Sequence, residues 1–126
     1  MKDEKYNGLG TLYYSNKCFF KGYFKDGEKD RGIETSPNGD EYTGIFKNNK
    51  YHGEGILENK RINYRYEGDF KASIKEGVGT EKYKNGSLYV GEFKKNMRNG
   101  RGKLSKLDGF SLTFYFFLNM MVLNRN

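Results

Sequence analysis

The chain reads as an all-β protein, an elongated single sheet of stacked antiparallel β-hairpins. Three observations predict it: an aromatic-glycine-aromatic signature at near-constant spacing, a Gly-x-Gly motif alternating with it, and Asn-Gly or Asp-Gly dipeptides where hairpins need turns. Each repeating unit supplies two strands, and no helix is needed to account for the body of the chain.

The first signature stands at Phe20-x-Gly22-x-Phe24, Tyr42-x-Gly44-x-Phe46, Tyr66-x-Gly68-x-Phe70 and Tyr89-x-Gly91-x-Phe93, with units starting 22, 24 and 23 residues apart. The second stands at Gly8-x-Gly10, Gly53-x-Gly55, Gly77-x-Gly79 and Gly100-x-Gly102. In the remaining copy, Asp30-x-Gly32, the first glycine is replaced and the preceding stretch is one residue shorter, which reads as tolerated decay. Residues i, i+2 and i+4 of a strand share a face, so each signature puts two rings on one side with a gap between them. A ring from a neighbouring strand can lie over the glycine. The alternate positions Lys21, Thr43, Glu67, Asp69 and Glu92 face water, while Tyr23, Ile45 and Val90 break that polar pattern.

Turns follow from the dipeptides Asn38-Gly39, Asn85-Gly86 and Asp108-Gly109, which tolerate positive φ. The other connection in each unit is expected to be a polar loop such as Lys47 to His52. One hairpin cannot bury enough apolar surface to fold alone, so stability must come from stacking units side by side. At about 4.8 Å per strand, five units would span roughly 50 Å.

Composition agrees. Only 35% of the 126 residues are apolar, yet 17% are aromatic, so the core material is concentrated in rings. The net charge of +7 favours anionic partners or plain solubility. A single cysteine, Cys18, precludes an internal disulfide and suits a reducing compartment. Met1 is followed by Lys2, Asp3, Glu4 and Lys5 with no apolar stretch, so no secretory signal is expected. The chain is expected to be intracellular, in the cytoplasm or on the cytoskeleton, peripheral to a membrane if it meets one.

The pattern Tyr-x-Gly-x-Phe, six polar residues, then Gly-x-Gly resembles the MORN repeat (membrane occupation and recognition nexus). The resemblance covers Asn7 to about Phe116, and every signature position matches in Tyr66 to Gly79 and Tyr89 to Gly102. It divides the chain into a repeat domain, 1–109, with about four complete units and a partial first one, and a tail, 110–126. The resemblance implies scaffolding in membrane-associated or cytoskeletal assemblies, self-association, or an accessory role beside catalytic domains. It departs at the C-terminus, where Phe114 falls on a glycine position and would overpack a normally stacked strand.

Two candidate binding features remain. Lys25, Lys47, Lys71 and Lys94 each follow the Phe of their unit, and stacking would align them about 10 Å apart. Such a column suits an anionic surface, or alternatively a solvated edge that blocks sheet aggregation. The tail is the one strongly apolar run, with Phe110, Leu112, Phe114, Phe116, Phe117 and Leu118. It reads as a degenerate last strand and cap, a docking surface, or a truncated terminus, and is too short for a spanning helix.

Chemistry is not expected. His52 is the lone histidine and reads as a structural loop residue, Cys18 as a packed thiol, and Glu54, Glu58, Glu76 and Glu81 as solvated surface carboxylates. No metal set, cofactor or nucleophile arrangement is expected. Nucleic acid is unfavoured because the rings are committed to packing. The expected function is a non-catalytic scaffold for protein contacts or self-association, with peripheral binding of anionic lipid as the alternative.

Overall fold

The computed structural model describes residues 5–106, 111–117 and 120–123. It is one 11-stranded antiparallel sheet whose spatial order is its sequence order. The strands are β1 (Gly8–Tyr13), β2 (Phe19–Lys25), β3 (Glu28–Thr35), β4 (Asp40–Lys47), β5 (Lys50–Asn59), β6 (Tyr64–Lys71), β7 (Ile74–Lys82), β8 (Leu88–Lys94), β9 (Met97–Ser105), β10 (Ser111–Phe117) and β11 (Met120–Leu123). Among the described residues the only helical turn is a short 3-10 segment, Ser15–Lys17. Among the described residues nothing forms a second layer, so the core is one of the sheet's own faces.

That core depends on a row of glycines. Gly10, Gly22, Gly32, Gly44, Gly55, Gly68, Gly79, Gly91 and Gly102 stand opposite one another, one per strand from β1 to β9. The bare backbone leaves a furrow in which the tyrosine rings lie. A Cβ at Gly55 would stand 2.4 Å from the Tyr42 ring, and one at Gly79 2.3 Å from that of Tyr66. The Tyr42 hydroxyl then donates to the Ile45 carbonyl (2.7 Å) and that of Tyr66 to the Asp69 carbonyl (2.9 Å), so each of these two phenols has an acceptor. The covering ring comes from the neighbouring strand, as the spacing predicted.

The predicted six-residue loop from Lys47 to His52 is instead a two-residue turn. Asn48 and Asn49 (φ 52° and 62°), Ala72 and Ser73 (50° and 66°), and Lys95 and Asn96 (52° and 67°) all take positive φ, the primed-turn pattern whose twist matches the strands. The rest of the expected loop, His52 included, is strand. Side chains at the second turn position lock each tip to the preceding hairpin. Asn49, Ser73 and Asn96 accept the backbone N–H of Lys29 (3.0 Å), Tyr51 (3.1 Å) and Lys75 (2.8 Å). The Asn38-Gly39 turn is wider, closed by Gly39 N–H to the Ser36 carbonyl at 3.0 Å, and only its glycine has positive φ. Asp108-Gly109 lies outside the described residues.

The strand register also explains the Asp30 exception. In three hairpins the register slips between the glycine row and the Phe, and the bulge passes through a positive-φ glycine: Gly53 (69°), Gly77 (82°) or Gly100 (73°). The β2–β3 slip pairs Tyr23 with Arg31 and Phe24 with Lys29, leaving Asp30 alone in a smaller bulge. The shorter stretch and the lost glycine are therefore one change.

Ala at Gly79 should overpack the Tyr66 ring and cost about 1–3 kcal/mol. Ser73→Ala, which removes one tip hydrogen bond, should cost about 0.5–1.5 kcal/mol. Urea unfolding should rank the midpoints wild type, Ser73→Ala, Gly79→Ala; equal midpoints for Gly79→Ala and wild type would contradict the furrow.

Candidate interaction surfaces

The aromatic face is closed by its own side chains. Phe20, Tyr42, Phe46, Tyr66, Phe70, Tyr89 and Phe93 are buried and meet edge to face. Tyr42 lies 5.1 Å from Phe46 and 5.2 Å from Phe70 of the next unit, and Tyr66 lies 5.1 Å from both Phe70 and Phe93. Each unit thus packs as much against its neighbour as against itself.

A second row of side chains roofs the rings, and it changes character from hairpin to hairpin. Lys29 Nζ sits 5.6 Å from the Phe20 centroid and 5.8 Å from that of Phe46, and is ion-paired with Glu34. In the next unit Tyr51 takes this place and stacks on Tyr42 at 3.8 Å. Lys75 restores the cation 5.2 Å from Tyr66, and Arg98 covers Tyr89 at 4.5 Å.

Glu81, expected on the solvated surface, is buried with 7% exposure at the centre of this roof. It accepts from Arg98 Nε (3.1 Å), Lys75 Nζ (3.3 Å) and the hydroxyls of Tyr64 and Tyr83. Two cations and two phenols satisfy one carboxylate, which is how a charge is kept under cover. Tyr64 is pushed above the ordinary phenol range by burial, then by its hydrogen bond to Glu81. Burial raises Tyr42 to about 12, against the pull of its backbone acceptors. It raises Tyr89 to about 12 as well, helped by the charges of Glu81 and Glu92. Cys18 is buried, with its thiol 3.5 Å from the Asn16 carbonyl.

The opposite, outer face is open. Lys25, Lys47, Lys71 and Lys94 end β2, β4, β6 and β8, are exposed, and sit beside the two-residue tips along one edge of the sheet. Among the described residues none of the four is in an ion pair. By alternation they share this face with Tyr23, Ile45, Asp69 and Glu92. Tyr23, Ile45 and Val90 break the polar pattern of this face. They join Leu9, Ile33 and Val78 as exposed apolar side chains of this face, with Ile45 49% exposed. Single exposed apolar residues carry little meaning in the sequence until strand pairing brings them together.

In the tail, Leu112, Phe114, Phe116 and Phe117 belong to β10, whose backbone pairs with β9 so that Phe114 stands opposite Gly102. β11 then pairs with β10, setting Phe117 opposite Met120. Phe110 and Leu118 lie outside the described residues. Among the described residues no helix is long and apolar enough to cross a membrane, and no cluster of His, Cys, Asp or Glu could hold a metal ion.

Replacing Glu81 by Leu should cost about 2–4 kcal/mol, because Lys75 and Arg98 lose their partner while still covered. Adding Lys75→Tyr copies the Tyr51 and Leu57 arrangement, and the double variant should recover part of that loss in urea unfolding. A double variant no more stable than Glu81→Leu would contradict the interchangeable roof. The raised phenols add a pH dependence. Below pH 10 both states are protonated and stability is full; between about 10 and 12 only the unfolded chain releases these protons, so stability falls. The urea midpoint should drop from about pH 9 to about pH 11, less steeply in Tyr42→Phe.

A family model described as the MORN repeat matches residues 2–19, 42–58, 66–88 and 89–109, together more than half of the chain. The stretch it skips contains the β2–β3 hairpin, where Phe20 replaces the tyrosine and the bulge is one residue short. Among curated proteins the chain is similar to MORN repeat-containing protein 3 of Xenopus laevis, 51% identical over 45 residues, or 36% of this chain. The match spans 19% of that relative's length. Such repeats generally serve as modules for protein or membrane interaction. With the glycine row, the ring stack and the matched repeats in agreement, this chain belongs to the MORN-repeat family.

Proposed function

We propose that the chain is a non-catalytic repeat scaffold, intracellular, that makes protein contacts through its outer face in a cytoskeletal or membrane-associated assembly. The observation that carries this reading is the mixture of groups on that face. The lysine row shares it with Glu54, Glu67, Asp69 and Glu92, interleaved with apolar side chains. A flat anionic membrane touching all four lysines would press those carboxylates against its headgroups, and like charges repel. A protein partner can place opposite charges one by one.

The lipid alternative keeps one support, the exposed and unpaired lysines, and a vesicle experiment separates the two. The full chain is sedimented with anionic vesicles at low and at physiological salt, beside a variant carrying Lys25→Glu, Lys47→Glu, Lys71→Glu and Lys94→Glu. The scaffold reading expects no binding at physiological salt. Binding that persists there and is lost in the fourfold variant would establish the lipid reading instead. In cells, nonionic detergent should leave the tagged chain in the insoluble fraction if the assembly is cytoskeletal; complete release with the lipids would exclude a cytoskeletal assembly.

A further inference from the structure

Four Asn-Gly dipeptides occur in the chain: Asn7-Gly8, Asn38-Gly39, Asn85-Gly86 and Asn99-Gly100. In each, the glycine nitrogen can attack the asparagine side-chain amide, because no Cβ shields it. An unfolded chain would treat the four alike, whereas the sheet holds three of them. Asn7 accepts the Asp26 N–H (2.9 Å) through its amide oxygen and donates to the Lys5 carbonyl (3.2 Å), which ties it to the β2–β3 tip. Asn99-Gly100 lies within β9, at its bulge, with β8 on one side and β10 on the other. Closing a five-membered ring there would need a backbone rotation that two ladders resist.

The two remaining pairs sit in turns of one design. Each glycine N–H closes its turn, Gly39 on the Ser36 carbonyl (3.0 Å) and Gly86 on that of Tyr83 (2.9 Å), and each asparagine oxygen accepts the N–H two residues on. Their surroundings differ. The Asn38 amide nitrogen donates to the Asp40 carboxylate (3.0 Å), its backbone carbonyl accepts from Asn59 (3.2 Å), and Arg61 lies across Gly39 to reach the Pro37 carbonyl (3.1 Å). Asn85 has Ser87 in place of Asp40. It is exposed, and among the described residues its amide nitrogen meets no acceptor. The Ser87 N–H draws electron density from the Asn85 amide carbon, and no carboxylate holds the leaving nitrogen.

We propose that the fold selects Asn85 as a site of spontaneous deamidation and isoaspartate formation, while the clamp around Asn38 protects its sister turn. When the turn opens locally, the Gly86 nitrogen bonds to Asn85 Cγ and the Cγ–Nδ2 bond breaks. The proton given up by Gly86 leaves with that nitrogen as ammonia. Water then adds to one carbonyl of the five-membered imide and reopens it, to aspartate or to isoaspartate, whose main chain runs through the former side-chain carbon. Isoaspartate carries a free carboxyl of the class that S-adenosylmethionine-dependent carboxyl methyltransferases modify. It also inserts a methylene into the turn that sets the β7–β8 register, beside Tyr83, whose hydroxyl donates to Glu81. The reaction needs only water and is independent of what the outer face binds.

The full folded chain is held in mildly alkaline buffer beside a sample unfolded in guanidinium chloride, and both are mapped over time by mass spectrometry. In the folded chain, position 85 should gain about one dalton at least tenfold faster than positions 7, 38 and 99. In guanidinium the four rates should come within a few-fold of one another. Asp40→Ser, which copies the Ser87 turn, should raise the rate at Asn38 at least fivefold. Arg61→Ala provides a second way to open that clamp should Asp40→Ser lose its fold by circular dichroism. Aged protein should unfold at a lower urea midpoint than fresh protein, and Asn85→Ser should remove that drop. A folded chain in which Asn85 reacts no faster than the other three, a ranking that persists unchanged after unfolding, or an Asn38 rate that neither variant moves would each overturn the proposal.

Discussion

The close approach of tyrosine rings to a glycine-only row is the constraint on which the rest of this structure depends. A ring can lie across the sheet only where neither the strand below nor its partner carries a Cβ, and a Cβ at Gly44, Gly55, Gly68, Gly79, Gly91 or Gly102 would stand only 2.1 to 2.7 Å from a tyrosine side chain. Seating the ring brings its hydroxyl to a bulge carbonyl, and the bulge requires the positive-φ glycine of the Gly-x-Gly motif. The two sequence motifs are thus two parts of one device, a furrow and the bend that closes it. Where one part shortens, at Asp30, the other changes with it.

Stacking this device produces cohesion between units. Edge-to-face rings bridge from one hairpin to the next, the cations Lys29 and Lys75 each sit over rings of two units, and the tip side chains hydrogen-bond backward to the preceding hairpin. No unit completes its own core. The alternation of charged and apolar roofs shows that the furrow prescribes a ring beneath but accepts different chemistry above it, provided that any charge finds a partner.

A single-layer sheet built in this way has faces with separate roles. The aromatic face is spent on folding and covered by Tyr51, Lys75 and Arg98. The outer face is freed from folding, so its lysine row, carboxylates and apolar side chains can serve recognition. The face that carries the repeat's regularity is the core, and the face that varies from unit to unit is the one left exposed.

The sequence by itself determined the fold class, the two-strand unit and the ring-over-glycine packing, because residues two apart on a strand share a face and the spacing of Tyr, Gly and Phe repeats that rule four times. The position of Phe114 opposite the glycine row was equally legible, since backbone register propagates from one hairpin to the next. Only the tertiary structure decided what depends on pairing between distant strands. The turns at Asn48-Asn49 and Ala72-Ser73 carry no glycine, and their positive φ is imposed by the flanking strands. Glu81 reads as solvated among basic neighbours along the chain, and only the sheet brings Tyr64 of β6, Lys75 of β7, Tyr83 just after β7 and Arg98 of β9 together on it. The mixture of groups on the outer face is likewise invisible along the chain, because Arg31 and Ile45, or Asp69 and Glu54, become neighbours only through the ladder that joins them.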